Sequence, residues 1–256
     1  MTAFYKYQGT GNDFVIVDNR GLHFPDSNTD YVRSICDRRF GVGADGLMLL
    51  EDSKDYDFVM RYYNADGKEG SMCGNGGRCI VAFANMLGII EKETRFFAVD
   101  GVHQAKISGG IVALEMQNLS EIEDLGTALL MDTGSPHYVQ KVADVATLEL
   151  IPLAHAIRYS SRFEEEGTNV NFVSYFESNF KMRTYERGVE NETLACGTGA
   201  TAVALALNYW DAVDSPIKLI VEGGVLEVSF DKKEHGYENI WLTGPAEMVF
   251  KGELKC

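Results

Sequence analysis

One short segment occurs twice, half a chain apart, and this repeat constrains the fold more than any other feature of the sequence. The first copy carries Cys73-Gly74-Asn75-Gly76-Gly77 and the second Cys196-Gly197-Thr198-Gly199-Ala200, at an offset of 196 − 73 = 123 positions. The same offset places Thr10-Gly11 on Thr133-Gly134, Tyr62 on Tyr185, Glu69 on Glu192 and Asn85 on Asn208. A register kept over that much chain marks a duplicated half, not two chance motifs. A duplicated fold facing itself is expected to put one thiol on each side of a cleft. Two opposed thiols suit a reaction that takes a proton from one face of a carbon and returns one to the other.

The 256 residues allow one large domain or two smaller ones. A formal net charge of −15, with no basic run longer than two residues, argues against nucleic acid as a partner. A phosphate-binding face needs a basic patch. No apolar run approaches the ~20 residues that cross a bilayer, and the start lacks the basic and apolar regions of a secretory signal. The expectation is a cytoplasmic protein with no membrane partner. Five cysteines, an odd number without C-x-x-C or paired Cys/His spacing, fit a reducing compartment and argue against a metal site. Cys36 and Cys79 read as small buried hydrophobes; Cys256 is uninformative.

Periodicity gives strands at Phe4–Asp18 (with a Gly-Thr-Gly-Asn-Asp turn), Leu47–Glu51, Phe58–Asn64, Phe96–Val99, Gln104–Ile107 and Ile111–Met116. Gly109-Gly110 forms the hairpin turn. Asp30–Phe40 reads as a helix, and a second helix opens after Cys73 over roughly residues 76–87. The other half repeats the plan, with strands at Asn169–Tyr175, Phe180–Tyr185, Leu226–Phe230 and Asn239–Leu242. Its helix over Gly199–Tyr209 is apolar nearly all round, the mark of an enclosed helix. The predicted class is α/β (α+β): two pseudo-symmetric domains, each a mostly antiparallel closed sheet around a central buried helix. The boundary is expected near Met116–Leu130.

Each repeated cysteine directly precedes a Gly-rich turn into such a helix. A helix start carries partial positive charge and unpaired N–H groups, which favour a thiolate and bind a carboxylate. Glycines let a ligand approach the backbone. Two such starts together make an anion site flanked by two acid/base sulfurs.

In combination, Gly9-Thr-Gly-Asn-Asp-Phe, Asn64-Ala-Asp-Gly, Met72-Cys-Gly-Asn-Gly-Gly-Arg-Cys, Gly167-Thr-Asn-Val-Asn-Phe, Tyr185-Glu-Arg-Gly and Ala195-Cys-Gly-Thr-Gly-Ala are specific, and the chain resembles the diaminopimelate epimerase family from end to end. The resemblance implies interconversion of LL- and meso-2,6-diaminopimelate in lysine biosynthesis, with no cofactor, no metal and a small amino acid as substrate. It implies a homodimer. It also implies domains at 1–117, joined by the returning residues 247–256, and at 118–246. By the same resemblance Cys73 and Cys196 are the catalytic pair, one thiolate removing the Cα proton and the other thiol delivering one. Gly74, Asn75, Gly197 and Thr198 hold the reacting carboxylate through N–H groups. Asn12, Asn64, Asn169 and Arg187 hold the distal end of the substrate. Glu186 stands near the reacting amine and thiol, and His137 beside the site. Arg78 reads as structural.

Two positions depart from the family pattern. Some members carry Gln where this chain has Gly46, and some carry Asn where it has Ser135. Neither change touches the cysteine pair. Proline and hydroxyproline racemases share the two Cys-Gly motifs but typically carry His where this chain has Asn75. A binding module that holds an amino acid without turnover needs neither thiol.

Overall fold

The computed structural model describes residues 1–70 and 72–254. Ser71, Lys255 and Cys256 lie outside the described residues, and with them the last two positions of the expected return segment. The chain divides into two compact units. The first comprises residues 1–114 with the tail from Gly244, and the second Glu115–Thr243.

The first unit opens with β1 (Thr2–Gly9), β2 (Asn12–Asp18), α1 (Thr29–Cys36), β3 (Gly46–Glu51) and β4 (Phe58–Asn64). It continues with α2 (Gly74–Met86), β5 (Glu93–Ala98), β6 (Gly101–Ser108) and β7 (Ile111–Glu115). The last strand of the chain, β17 (Glu247–Leu254), pairs antiparallel with β1. From β1 to β7 each strand pairs with the next. The senses run antiparallel, parallel, antiparallel, parallel, antiparallel, antiparallel.

The second unit contains β8 (Glu123–Asp124), β9 (Leu129–Asp132), β10 (Pro136–Lys141), α3 (Leu150–Arg158), β11 (Asn169–Phe176) and β12 (Asn179–Glu186). After these come β13 (Asn191–Thr193), α4 (Gly197–Asp211), β14 (Ile217–Val221), β15 (Gly224–Lys232) and β16 (Tyr237–Pro245). Taken as β9-β10-β11-β12-β14-β15-β16, its pairings repeat the order of senses in the first unit. The duplication read from the cysteine motif is therefore a duplication of sheet topology.

The central strands look uninterruptedly apolar because both faces of the sheet are covered. In β2 and β3 the alternation of side chains sends Val15, Val17, Leu47 and Leu49 under α1, into a core with Val32 and Ile35. The opposite face meets α2, which is buried from Gly74 to Ala84 and packs on β1, β2, β3 and β6. In the second unit Val170, Phe172 and Tyr185 pack under α3 with Leu150 and Ala154. The intervening residues of β11 face α4, whose residues Gly199 to Asn208 are all buried. Burial on all sides explains how α4 holds together without a polar face.

Two helices differ from the sequence reading. The first was expected over Asp30–Phe40 and ends at Cys36. The Asp37 carboxylate accepts the N–H groups of Arg39 and Phe40, each at 2.7 Å, and so offers the backbone a turn in place of another helical bond. Helix α3 has no counterpart in that reading, and it contains Pro152. The proline falls in the first turn, where a missing N–H costs no intrahelical bond.

Candidate active site

Cys73 and Cys196 occupy the same position in their units: each is the extended residue that caps a buried helix, α2 or α4. The glycine behind each of them leaves little room for a side chain. A Cβ on Gly76 would stand 3.2 Å from the Cys73 sulfur, and one on Gly199 would stand 3.3 Å from the Cys196 sulfur.

Around Cys73 the partners are amides. The sulfur accepts the N–H of Gly76 at 3.2 Å, and the thiol lies 3.9 Å from Asn12 Oδ1. Asn75 Nδ2 donates to the same Asn12 oxygen at 3.3 Å. Both amides have fixed orientations. Asn12 Nδ2 donates to Asp45 Oδ2 at 2.5 Å, and Arg38 holds the other Asp45 oxygen at 2.7 Å. Arg78 Nη2 donates to Asn75 Oδ1 at 3.0 Å and to Thr10 Oγ1 at 3.0 Å. Arg78 is fully buried, and its other hydrogen bonds go to the carbonyls of Gly74 and Pro245. Burial lowers its pKa, and all the acceptors of its hydrogen bonds are uncharged groups. It aims the first turn of α2.

Asn64 ends β4 at the exposed turn closed by Gly67 N–H on the Asn64 carbonyl, at 2.8 Å, and lies opposite Gly46 in the ladder. The structure does not join its side chain to the Asn12–Asn75 network. Gly46 has a physical reason: a Cβ there would meet the Tyr62 ring at 2.5 Å. The Tyr62 ring fills the space that a side chain at position 46 would need.

Around Cys196 the partners are a hydroxyl, an imidazole and an amide. Cys196 Sγ lies 3.5 Å from Thr198 Oγ1, Thr198 Oγ1 lies 2.9 Å from His137 Nε2, and His137 Nδ1 lies 3.0 Å from Asn171 Nδ2. The parallel ladder sets this up: His137 of β10 is opposite Asn169 of β11, so Asn171 is one step along the same face. Asn169 Nδ2 donates to Ser135 Oγ at 2.9 Å, and Asn169 Oδ1 accepts the backbone N–H of Arg187 at 2.9 Å. Ser135, Asn169 and Arg187 thus stand together, and the Arg187 guanidinium reaches the Glu166 carbonyl at 2.7 Å. Glu186 closes β12, half-buried. Near these residues a cavity of about 710 Å³ is lined by Asp132, Pro136, His137 and Thr168. Neither Cys196 nor Thr198 lines it.

His137 is fully buried, and burial, aided by the charge of Arg187, pulls its pKa down to about 3. The imidazole is neutral at working pH. Between about pH 3 and its unfolded value near 6.5 the unfolded chain binds the proton and the folded chain does not. Stability therefore rises with pH through that window and falls away below it. Burial pushes the Asp13 carboxyl up, but Arg38 and Lys6 outweigh it and hold the group at about 2, so its contribution is lost only at lower pH. His137→Gln is expected to flatten the slope of urea-unfolding stability between about pH 4 and 6, by up to ~1.4 kcal/mol per pH unit. An unchanged slope would mean that the ring is charged in the fold.

The Thr198 side chain and Asn171, which stand beside Cys196, were missed by the sequence reading. The repeat held a signal for one pair. The 123-residue offset sets Phe14 against His137 and Met48 against Asn171, two polar residues where the other half has hydrophobes.

The model of the family described as "Diaminopimelate epimerase" matches residues 4–128 and again 129–249. The chain is 49% identical over 250 residues to diaminopimelate epimerase of Flavobacterium psychrophilum, covering 96% of this chain and 98% of the relative. It is 39% identical over 273 residues to the Aquifex aeolicus diaminopimelate epimerase, covering 98% and 97%. Among solved structures, a Bacillus anthracis phenazine biosynthesis protein of the PhzF family superposes with a TM-score of 0.76 at 15% identity, covering 100% and 99%. A hydroxyproline epimerase from Agrobacterium vitis gives 0.69 at 14%, covering 99% and 90%. At those identities the two structures speak to the fold alone.

Proposed function

The chain belongs to the diaminopimelate epimerase family, and on that footing we propose that it interconverts LL- and meso-2,6-diaminopimelate by a two-base, cofactor-free mechanism in lysine biosynthesis. The observation that carries the mechanism is the placement of Cys73 and Cys196 as equivalent caps of two buried helices. One sulfur, as thiolate, takes the Cα proton. The electron pair left behind spreads onto the α-carboxylate, and the other sulfur, as thiol, gives its proton to the opposite face. The turnover ends with thiol and thiolate exchanged, and the reverse reaction uses them in the other order.

The α-proton of an amino acid is a very weak acid, so the site must stabilise the enediolate-like charge. N–H groups of residues 74, 75, 197 and 198, at the helix starts, supply preorganised donors for it. In this reading Asn12, Asn64, Asn169 and Arg187 hold the distal amino-acid end. Ser135 and Tyr62 take over contacts that other members make through different side chains. Glu186 stands by the reacting amine. His137 acts through Thr198 and not as a proton carrier, because burial keeps it neutral. The working form is a cytoplasmic homodimer. No described helix is long and apolar enough to cross a membrane.

Proton NMR of LL-diaminopimelate with the enzyme in deuterium oxide tests this. Deuterium is expected at one α-carbon as the meso isomer appears, at a rate that pyridoxal scavengers leave unchanged. Exchange only with proline or hydroxyproline would move the substrate and keep the chemistry. Loss of activity with scavengers would sink the cofactor-free reading.

A further inference from the structure

We propose that Asn171 is a positioning residue that gives the hydrogen-bond chain at Cys196 a single direction, so that it ends in a Thr198 O–H donated to the sulfur. The proposal deepens the reading above and rests on it only where turnover is concerned.

The direction follows from the groups that cannot turn around. Asn171 Nδ2 lies 3.0 Å from the Tyr138 carbonyl oxygen, and Asn171 Oδ1 accepts from Thr184 Oγ1 at 2.9 Å. Rotating the amide would set oxygen against carbonyl oxygen. The second Nδ2 hydrogen therefore points at His137 Nδ1, 3.0 Å away, which must present its lone pair. In a neutral ring the proton then sits on Nε2, and Nε2–H donates to Thr198 Oγ1 at 2.9 Å. The hydroxyl is an acceptor on that side. Its one hydrogen is left for Cys196 Sγ at 3.5 Å. A donor on sulfur favours the thiolate over the thiol. Burial keeps the chain uncharged, and Arg187, the charged group acting on the ring, opposes its protonation further.

The first unit shows that the fold does not need this arrangement. Phe14 lies opposite Gly46 in the parallel ladder as His137 lies opposite Asn169. A Cβ on Gly76 would find Met48 Sδ at 3.3 Å and the Phe14 ring at 3.6 Å, whereas one on Gly199 would find Asn171 Oδ1 at 2.6 Å. The equivalent space beside Cys73 is thus filled by hydrophobes. Buried polar groups are costly unless every partner is met, and His137 and Asn171, both fully buried, have theirs met. The half that carries them gains a directed donor.

Two readouts on the full chain test the proposal. Long-range nitrogen–proton NMR correlation identifies which ring nitrogen of His137 carries the proton. Alkylation by iodoacetamide at one mildly acidic pH, resolved by mass spectrometry, gives the rate at Cys196 relative to Cys73. The expected wild-type tautomer is Nε2–H. Asn171→Met, which installs the residue of the other half, is expected to populate both tautomers and to lower the Cys196 to Cys73 ratio about tenfold. Its kcat should fall by a similar factor with KM nearly unchanged. Thr198→Val should lower the ratio likewise, and Thr198→Ser should restore it. An Nδ1 proton in the wild type overturns the proposal, as does an unchanged ratio in Asn171→Met or in Thr198→Val. A merely structural Asn171 would lower the urea midpoint and leave the ratio alone. Neither readout uses diaminopimelate, so absent turnover with the tautomer and ratios as expected would refute the activity and not this chain.

Discussion

Replacing either Cys73 or Cys196 by alanine is expected to abolish inversion, with epimerisation falling by about 10²–10⁴-fold, the range for loss of a positioned acid or base. The loss should be symmetric. Every turnover needs one sulfur to take a proton and the other to give one, whichever isomer enters. Exchange without inversion should be asymmetric. The remaining sulfur can still remove a proton from the isomer whose hydrogen it faces and return a solvent-derived one to the same side. Each variant should then label one isomer only, and the two variants different isomers. That pattern, read by NMR in deuterium oxide, would also assign each thiol to its isomer. A single alanine variant that still inverts at the wild-type rate would replace the two-base mechanism by a one-base one.

Gly199→Ala should have the next largest effect, for a reason its neighbours make specific. The new Cβ would stand 2.6 Å from Asn171 Oδ1 and 3.3 Å from the Cys196 sulfur. Asn171 has little freedom to retreat, because Thr184, Tyr138 and His137 hold its amide on three sides. Overpacking of this kind costs about 1–3 kcal/mol, and the ~1 kcal/mol that alanine returns in helix propensity offsets only part of it. Turnover should fall about tenfold or more as the Cys196 chain is displaced. Gly77→Ala is the control. Its Cβ would meet Leu114 Cδ2 and Met72 Sδ, each at 2.9 Å, and both are ends of flexible side chains. Stability within about 1 kcal/mol of wild type is expected there. Equal denaturant midpoints for the two variants would mean that the Asn171 amide is not held as described.

The repeat made the topology legible because duplication preserves strand order and sense even where few residues match. It made the cysteines legible because a cap before a Gly-rich turn is a local feature. The Cys196 chain was not local. It depends on the register of β10 against β11, which brings Asn171 to His137 across a separation of 34 residues, and on that of β11 against β12, which sets Asn171 opposite Thr184. Arg78 was legible as structural, but nothing in the sequence says that its guanidinium is fully enclosed by uncharged acceptors. Tyr62 was hidden for the opposite reason: Gly46 reads as the loss of a side chain, and only the packing shows what stands in its place.

Strand β1 lies between β2 and β17, so its outer neighbour is made only after the whole of the second unit. During synthesis β2, β3 and β4 emerge early and have one another to pair with, while β1 keeps an open edge until Glu247–Leu254 arrives. The second unit, though encoded later, contains all of its own strands and completes its sheet first. Order of translation and order of completion are thus reversed: a chain that stops short of position 247 has every strand of the Cys196 half and lacks the outer neighbour of β1 in the Cys73 half.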